Sequence, residues 1–258
     1  MPALGLGVYD MYKETAIQAV EDALSIGYRL IDTASMYDNE EEIGKAIRNS
    51  NVDRKEIFLT TKLNNTDHGY EAALNAFEAS LKKLNQDYVD LYLIHWPIKE
   101  GRTDSWLALE KLYAEKRVRA IGVANYNIAL LEELKSITHI VPAVNQIEFS
   151  PWLFQEDLLN YCKKAGIQVQ SYSPITRGLK FSDARLDVLC KKYGKTPAQI
   201  VLNWHLQLGL STIPKSSNKA RLMENFEASH FSLLAEDMQI LNSFNENFRI
   251  CDDPQSYE

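Results

Sequence analysis

Four side chains of the types that transfer protons in enzymes follow apolar, strand-like runs in the first part of the chain. Asp32 ends the run YRLI, and Tyr37 comes five residues later in the segment IDTASMYDNE. Lys62 follows IFLTT, and His95 follows DLYLI. A carboxylate, a phenol, an ammonium and an imidazole are the groups used in general acid–base catalysis. The spacing predicts an acid–base site if the ends of these strands meet.

Three further apolar runs end in groups that bind polar ligands. Asn125 follows AIGVA, Gln146 follows PAVN, and Lys215 follows STIP. Taken singly, such a residue is more often a turn residue, a helix cap, a solvated lysine or a histidine that bonds to the backbone. Six of the eight apolar runs are followed by a residue that can do chemistry or bind a polar group, and this is hard to explain as a set of independent accidents.

Apolar, β-branched runs alternate with segments of helical spacing along the chain. Continuous rather than alternating hydrophobicity in the runs predicts a sheet that is covered on both faces. The strand candidates are LGLGVY, YRLIDTA, EIFLTTK, VDLYLIHW, VRAIGVAN, AVNQIEFS, IQVQSYS and LSTIPK. The helix candidates are ETAIQAVEDALSIG, EEIGKAIRNS, YEAALNAFEASLKKLN, SWLALEKLYAEK, ALLEELKS, EDLLNYCKKAG and PAQIVLNWHLQLG.

Eight strands in about 250 residues match a (β/α)8 TIM barrel, and an open doubly wound sheet is the competitor. In a barrel the C-terminal ends of all strands converge on one mouth, whereas an open sheet spreads them along its length. The polar strand ends therefore favour the barrel. Because no Pro/Gly/Ser-rich linker or low-complexity tract divides the chain, residues 1–258 are predicted to form a single domain.

The composition argues against several classes of protein. A net charge of -7 argues against a nucleic-acid or anionic-membrane partner. Three widely spaced cysteines lack the CxxC spacing of a metal site or redox pair, which predicts reduced thiols. No run approaches the roughly 18 to 20 apolar residues of a membrane span, and the N-terminus does not resemble a signal peptide. We expect a cytoplasmic protein that is a monomer, with weak dimerisation left open.

Longer motifs carry a family resemblance over nearly the whole chain. They are MPALGLGVY, GYRLIDTASMYDNEEEIGKAI, FLTTKL, DYVDLYLIHWP, IGVANY, NQIEFSPW, QSYSP and IPKSSNKARLMEN. The chain resembles the aldo-keto reductases, (β/α)8 barrels that reduce carbonyls with a nicotinamide cofactor and no metal. With its short N-terminus it resembles compact bacterial members of the 2,5-diketo-gluconate and methylglyoxal reductase type. The family's catalytic tetrad falls on Asp32, Tyr37, Lys62 and His95.

The resemblance implies a role for each member of the tetrad in carbonyl reduction, which adds a hydride to carbon and a proton to oxygen. Tyr37 is expected to be the general acid, although the pKa of a free phenol is about 10. The ammonium of Lys62 is expected to lower that pKa, and Asp32 to hold Lys62 charged. His95 is expected to be a neutral hydrogen-bond donor, because a second buried cation would be costly.

The cofactor implied by the resemblance is NADPH rather than NADH. The segment GLGVYD lacks the third glycine of a dinucleotide fingerprint and indicates a tight turn. IPKSSNKARLMEN instead resembles the family's pocket for the adenosine 2'-phosphate, where a phosphate gains charge-assisted hydrogen bonds and a helix N-terminus. A solvated basic turn is the alternative. The matching residues are Lys215, Ser216, Asn218 and Arg221, with Glu224 and Asn225 on the adenine side.

At the nicotinamide end, Asn125 and Gln146 match the residues that bind the carboxamide, and Tyr172 matches the aromatic residue that stacks on the ring. Taken alone, Tyr172 is more often a packing residue. Ala124 departs from the family, because a serine commonly precedes the asparagine. The missing hydrogen bond, worth about 1 kcal/mol, is expected to weaken cofactor binding without removing activity.

The resemblance also indicates a substrate pocket. Asn64 stands where many relatives carry a large aromatic residue, which implies a wetter and roomier pocket. Small polar carbonyls, such as keto-sugars, methylglyoxal-like compounds or aromatic aldehydes, are the expected substrates. The short N-terminus implies that the hairpin that commonly closes the barrel floor is short or absent. The predicted pocket residues are Tyr9, Met36, Asn64 and Trp96, with the segment around Gly101 and the tail FRICDDPQSYE.

Two other classes of protein stay open at this point. One is a non-catalytic NADPH-binding accessory or structural protein of the same fold, against which the intact tetrad argues. The other is a different barrel enzyme, such as a phosphate-binding isomerase or a metal-dependent hydrolase. No metal site is expected, because the remaining histidines lack the HxH or HExxH spacing of metal ligands. They are His68, His139, His205 and His230.

Overall fold

The computed structural model describes residues 1–257, in which eight strands form one parallel sheet in chain order. Gly5 N donates to Thr212 O at 2.9 Å, and Thr212 N donates to Ala3 O at 2.8 Å. These bonds join the last strand to the chain beside the first and confirm the predicted (β/α)8 barrel. The strands are β1 (Leu6–Gly7), β2 (Leu30–Asp32), β3 (Phe58–Leu63), β4 (Val89–Ile94), β5 (Val118–Ala124), β6 (Val144–Glu148), β7 (Gln168–Tyr172) and β8 (Ser211–Thr212).

Ten α-helices accompany the strands in the described part of the chain. Seven coincide with the predicted helical segments, and three were missed: α7 (Ala184–Tyr193), α9 (Lys219–Phe226) and α10 (Ala235–Asn242). The missed helices bury few apolar side chains; α7, for example, buries only Leu186 and Leu189. The helices are α1 (Lys13–Ile26), α2 (Glu40–Asn49), α3 (Tyr70–Leu84), α4 (Arg102–Ala114), α5 (Ile128–Ile137), α6 (Glu156–Ala165), α7 (Ala184–Tyr193), α8 (Pro197–Gln207), α9 (Lys219–Phe226) and α10 (Ala235–Asn242).

The strand β4 shows how the sheet is buried on both faces. Successive side chains of a strand point to opposite faces. Leu91 and Leu93 pack with Val144 in one apolar cluster inside the barrel. Tyr92 and Ile94 belong to the larger core that includes the helices. Because side chains fill the interior of the barrel, a ligand site is expected at the C-terminal ends of the strands, as in other (β/α)8 barrels.

The start of the chain contributes to closure of the barrel rather than to a separate element. No β-hairpin precedes β1 in residues 1–257; Leu4 instead forms a parallel bridge with Thr212. Within the same residues, no helix is both long enough and apolar enough to cross a bilayer.

Helices α2 and α3 approach each other at Gly44, which gives a test of the packing. A Cβ at this position would lie 2.0 Å from the carbonyl oxygen of Leu84, at the end of α3. We expect Gly44→Ala to lower the free energy of unfolding by about 3 kcal/mol through overpacking, despite the better helix propensity of alanine. Urea unfolding followed by circular dichroism measures the change.

Gly194→Ala is the matched control for this substitution. A Cβ at Gly194 would meet no atom within 4 Å, but the residue has a φ of +61°. We expect it to lose about 1 kcal/mol from backbone strain alone. Equal losses in the two variants would show that the overlap with Leu84 is not the cause.

Candidate active site

A tight turn after β2 positions the carboxylate and the phenol at the mouth of the barrel. Asp32 is the last residue of β2, and a 3-10 turn at residues 35–37 follows it and ends in Tyr37. Ser35 Oγ donates a hydrogen bond to Lys62 O at 2.9 Å. The turn that carries the phenol is therefore tied to the neighbouring strand β3.

Lys62 joins the two residues from within β3. Its side chain is fully buried. Its Nζ donates to Asp32 Oδ1 at 2.5 Å, to Thr33 O at 2.9 Å and to Tyr37 OH at 3.3 Å. These three acceptors match the three N–H groups of an ammonium. Since a buried cation is costly unless it is paired and hydrogen-bonded, this environment is what allows Lys62 to remain charged inside the barrel.

Burial acts against the charged form of each group. It would lower the pKa of Lys62, but Asp32 and Tyr37 outweigh it and the pKa is raised. Burial raises the pKa of Asp32, although Lys62 and Gln146 oppose the shift. It also raises the pKa of Tyr37, which Lys62 offsets only in part. This corrects the expectation that Lys62 lowers the pKa of Tyr37 below that of a free phenol, because desolvation is the larger effect.

His95 follows β4 and packs edge-on against Tyr37, with ring centroids 5.5 Å apart. Burial lowers the pKa of His95 well below its usual value, and the nearby ammonium of Lys62 lowers it further. The imidazole is therefore neutral near pH 7, in agreement with the expected neutral state. Its Nδ1 is buried without a hydrogen-bond partner among residues 1–257. A buried ring nitrogen of this kind is a group that a ligand can satisfy.

The two predicted amides lie beside the tetrad and link four strands. Gln146 Nε2, in β6, donates to Asp32 Oδ2 at 2.7 Å and to Gln170 Oε1 at 2.6 Å. Asn125 Oδ1, directly after β5, accepts from Tyr172 OH at 2.8 Å. Ala124 is fully buried at the end of β5 and supplies no polar side-chain atom there.

A cavity of about 920 Å³ at the C-terminal ends of the strands brings most of the predicted residues together. This volume lies in the range of small-molecule and cofactor sites. Lys62 lies behind Asp32 and Tyr37 and does not line the cavity. Near the tetrad the lining includes Tyr9, Met36, Tyr37, His95, Trp96, Asn125, Gln146 and Tyr172. At the opposite end it includes Lys215, Ser216, Asn218, Arg221, Glu224 and Asn225.

Asn64 lies outside this lining, contrary to the expectation. Its Oδ1 accepts from Asn65 N at 2.7 Å and caps a 3-10 turn, so the side chain serves the backbone. Asn65 lines the cavity instead, and a polar side chain still faces the pocket. The segment around Gly101 also lies outside the described lining, whereas residues 250–257 of the tail contribute to it.

The end of the cavity predicted to hold a phosphate is built around the start of α9. Asn218 Oδ1 caps this helix by accepting from Arg221 N at 3.1 Å. Lys215 Nζ lies 3.8 Å from Asp10 Oδ2, and both side chains are largely exposed. A loose, exposed pair of this kind leaves the ammonium able to bind another anion. The helix N-terminus and the cations can therefore act together on a phosphate.

Besides Asn65, the residues of the site that were not predicted from the sequence include Gln170 and Arg177. Gln170 lies two residues before Tyr172 in β7, and the two-residue period of a strand would have placed both on one face. Arg177 lines the cavity with its guanidinium 5.9 Å from the ring of Tyr9. It follows the motif QSYSP in a 3-10 turn of three residues, which is too short for a periodic signal to indicate which side chains point inward.

Comparison with known proteins agrees with this geometry. The pattern of the Aldo/keto reductase family matches residues 3–246. The chain belongs to the aldo/keto reductase family. Glyoxal reductase of Bacillus subtilis (strain 168) is 46% identical over 98% of this chain and 92% of its own length. Methylglyoxal reductase DkgA of Escherichia coli (strain K12) is 42% identical over 100% of this chain and 94% of its own.

A solved structure of the same family resembles the chain closely. A mutant of Gox0644 in complex with NADPH superposes with a TM-score of 0.94 at 40% identity, covering 99% of this chain and 94% of that one. In this aldo/keto reductase, no group of three or more His, Cys, Asp or Glu side chains within residues 1–257 is arranged to hold a metal ion.

The neutral state of His95 can be tested directly. Lys62→Met removes the cation that is the second cause of its lowered pKa. We expect the pKa of His95 to rise in this variant but to stay below its usual value of about 6.5, because burial is the larger cause. Imidazole 15N chemical shifts between pH 4 and 8 measure the pKa.

Lys82→Met, at an exposed residue on α3, is the control and should leave the pKa of His95 unchanged.

The pKa of His95 is lower in the folded protein than in the unfolded chain. The neutral ring therefore contributes fully to the free energy of unfolding above a pH of about 6.5, and this contribution is lost as the pH falls below that value. Titration of wild-type His95 near neutrality would contradict the neutral assignment.

Proposed function

We propose that the protein is an NADPH-dependent reductase that converts aldehydes and ketones to alcohols, with Tyr37 as the general acid. The observation that carries this proposal is the contact of Lys62 Nζ with both Asp32 Oδ1 and Tyr37 OH, beside the neutral ring of His95. Membership of the Aldo/keto reductase family and the NADPH complex of a similar protein support the cofactor.

The tetrad supplies the proton and stabilises charge in this reaction. A bound nicotinamide supplies the hydride that adds to the carbonyl carbon. Tyr37 OH donates its proton to the carbonyl oxygen, and the ammonium of Lys62, 3.3 Å away, stabilises the phenolate as it forms. Asp32 keeps Lys62 charged through their ion pair. His95 donates a hydrogen bond to the same oxygen and orients the carbonyl.

The cavity fits a nicotinamide dinucleotide because polar groups of suitable chemistry lie at both ends. The cations and the helix N-terminus near Lys215 and Arg221 would hold the 2'-phosphate, with Ser216 and Asn218 beside them and Glu224 and Asn225 toward the adenine. The side chains near the tetrad that would hold and align the nicotinamide are Asn125, Gln146 and Tyr172. Gln146 would keep its contact with Asp32, so binding and acid–base chemistry would share one hydrogen-bond network.

Small polar carbonyls are the proposed substrates, with dicarbonyls of the methylglyoxal type first among them. The names of two relatives, glyoxal reductase and methylglyoxal reductase, support this class. Asn65 keeps a polar side chain at the pocket, and Trp96 and Met36 supply apolar walls. Keto-sugars and aromatic aldehydes are also proposed substrates.

Cytoplasmic location, a monomeric state and the lack of a nucleic-acid partner remain predictions from the sequence.

Tyr37→Phe tests the general acid. The variant removes only the hydroxyl, so we expect NADPH binding to be retained and turnover of methylglyoxal to fall by at least about 100-fold, as for loss of a general acid. Absorbance of the reduced nicotinamide measures turnover, and fluorescence titration measures binding.

Tyr12→Phe, at an exposed tyrosine outside the cavity, is the control and should keep wild-type turnover. A near-normal rate in Tyr37→Phe would assign the proton to another residue. Cofactor binding without oxidation of NADPH by any aldehyde in a broad panel, in the wild type, would instead favour the accessory-protein alternative.

Lys215→Glu combined with Arg221→Ala tests the phosphate pocket. Removing two cations that are proposed to contact the 2'-phosphate should raise the KM for NADPH at least about tenfold, since charge-assisted hydrogen bonds are roughly twice as strong as neutral ones. The KM for NADH, which lacks that phosphate, should change little. Lys219→Ala is the control, because Lys219 lies on α9 with Arg221 but pairs with Asp22 outside the cavity. An unchanged preference between the two cofactors would place the phosphate elsewhere.

A further inference from the structure

Glu148 is a buried carboxylate that the proposed acid–base chemistry does not use. It is the last residue of β6, and only 2% of its surface is exposed. Its Oε1 accepts from Ile250 N at 2.7 Å, and its Oε2 accepts from Cys251 N at 3.0 Å. Both oxygens therefore bond to the backbone of residues 250–257, which we call the tail segment.

The tail segment forms one wall of the cavity near the tetrad. The ring of Tyr257 lies 4.8 Å from that of Trp96, which in turn lies 6.5 Å from the ring of His95. A carbonyl compound held at His95 therefore reaches this wall if it carries more than a few heavy atoms beyond the carbonyl. The residues of the tail segment that line the cavity are Ile250, Cys251, Asp252 and Tyr257.

The chemistry of Glu148 suits it to hold this backbone. Burial raises the pKa of Glu148, and the two amide donors, followed by Arg249 and Arg177, oppose that shift. Hydrogen bonds to a carboxylate are shorter and stronger than those between neutral groups. If the tail segment moved away, the carboxylate would be left in the barrel without these two donors, which is costly. The contact therefore stabilises one position of the wall.

We propose that Glu148 is a positioning residue that orders the tail segment and thereby sets the activity of the enzyme toward larger carbonyl substrates relative to its activity toward smaller ones. The inference rests on the proposed reductase function. In β6, residues 146 and 148 lie on the same side of the strand. Gln146 reaches Asp32, and Glu148 reaches the tail segment. A single strand thus aligns the substrate wall with the catalytic carboxylate.

Glu148→Gln tests this role without changing side-chain size. The side-chain amide of glutamine has one oxygen that can accept a hydrogen bond. Its NH2 group would face the second backbone N–H, so one of the two hydrogen bonds to Ile250 N and Cys251 N is lost. We expect hydrogen exchange at the amides of Ile250 and Cys251 to quicken at least about tenfold, as for local opening of a less stable segment. Mass spectrometry or NMR measures the exchange.

The same variant should change substrate preference. Benzaldehyde packs against the wall and must order it on binding, whereas methylglyoxal is too small to depend on it. We expect kcat/KM for benzaldehyde relative to methylglyoxal to fall at least about fivefold, the effect of one net hydrogen bond. Glu148→Asp, which keeps the charge but withdraws the oxygens by one methylene, should lie between the wild type and Glu148→Gln. The affinity for NADPH should not change.

Glu41→Gln, at an exposed carboxylate on α2, is the control for loss of charge and should leave both measurements unchanged. Unchanged exchange in Glu148→Gln would show that Glu148 does not hold the tail segment. Faster exchange with an unchanged substrate ratio would show that the wall does not set the preference. Either result overturns the proposal. The exchange measurement needs no turnover, so absence of wild-type turnover would count separately against the proposed function.

Discussion

The structure of the site depends on the burial of one ammonium, that of Lys62. A cation without contact to water needs a negative partner and an acceptor for each N–H group. The fold supplies these from the end of β2 and the turn after it: Asp32, Thr33 O and Tyr37 OH. Leaving such a charge unpaired costs about 3–5 kcal/mol. The requirement that stabilises Lys62 therefore also fixes the distance between the phenol and the ammonium.

From this pair, polar contacts extend around the mouth of the barrel. Asp32 accepts from Gln146, and Gln146 reaches Gln170, so β2, β3, β6 and β7 share one network. Asn125 adds the end of β5 through its contacts with His95 O and Tyr172 OH. Such a network holds side chains in one arrangement because each lost bond leaves a buried polar group unpaired. Preorganised donors of this kind can stabilise a developing negative charge without first reorienting.

The strand ends and the loops contribute differently to the site. Asp32, Lys62 and Gln146 lie within strands, where the ladder fixes the backbone. The substrate walls come from loops and from the tail segment, which vary more readily than strands without disturbing the core. The walls still need anchors in the sheet, and Glu148 provides one for the tail segment. In this division the sheet holds the acid–base residues, and segments outside the sheet form the walls of the cavity.

The amino-acid sequence by itself predicted the barrel and its polar strand ends, because continuous apolar runs and the polar residues that end them are local patterns. The resemblance of its motifs to the aldo-keto reductases assigned the roles of the tetrad. It also indicated the phosphate pocket, whose residues lie within one segment from Lys215 to Asn225. Three helices that bury few apolar side chains were not predicted. Only the tertiary structure decided that Asn65 rather than Asn64 lines the cavity, and that Arg177 reaches it. It also decided that desolvation outweighs Lys62 in setting the pKa of Tyr37. Loop direction and burial depend on contacts between residues far apart in the chain, which no local pattern contains.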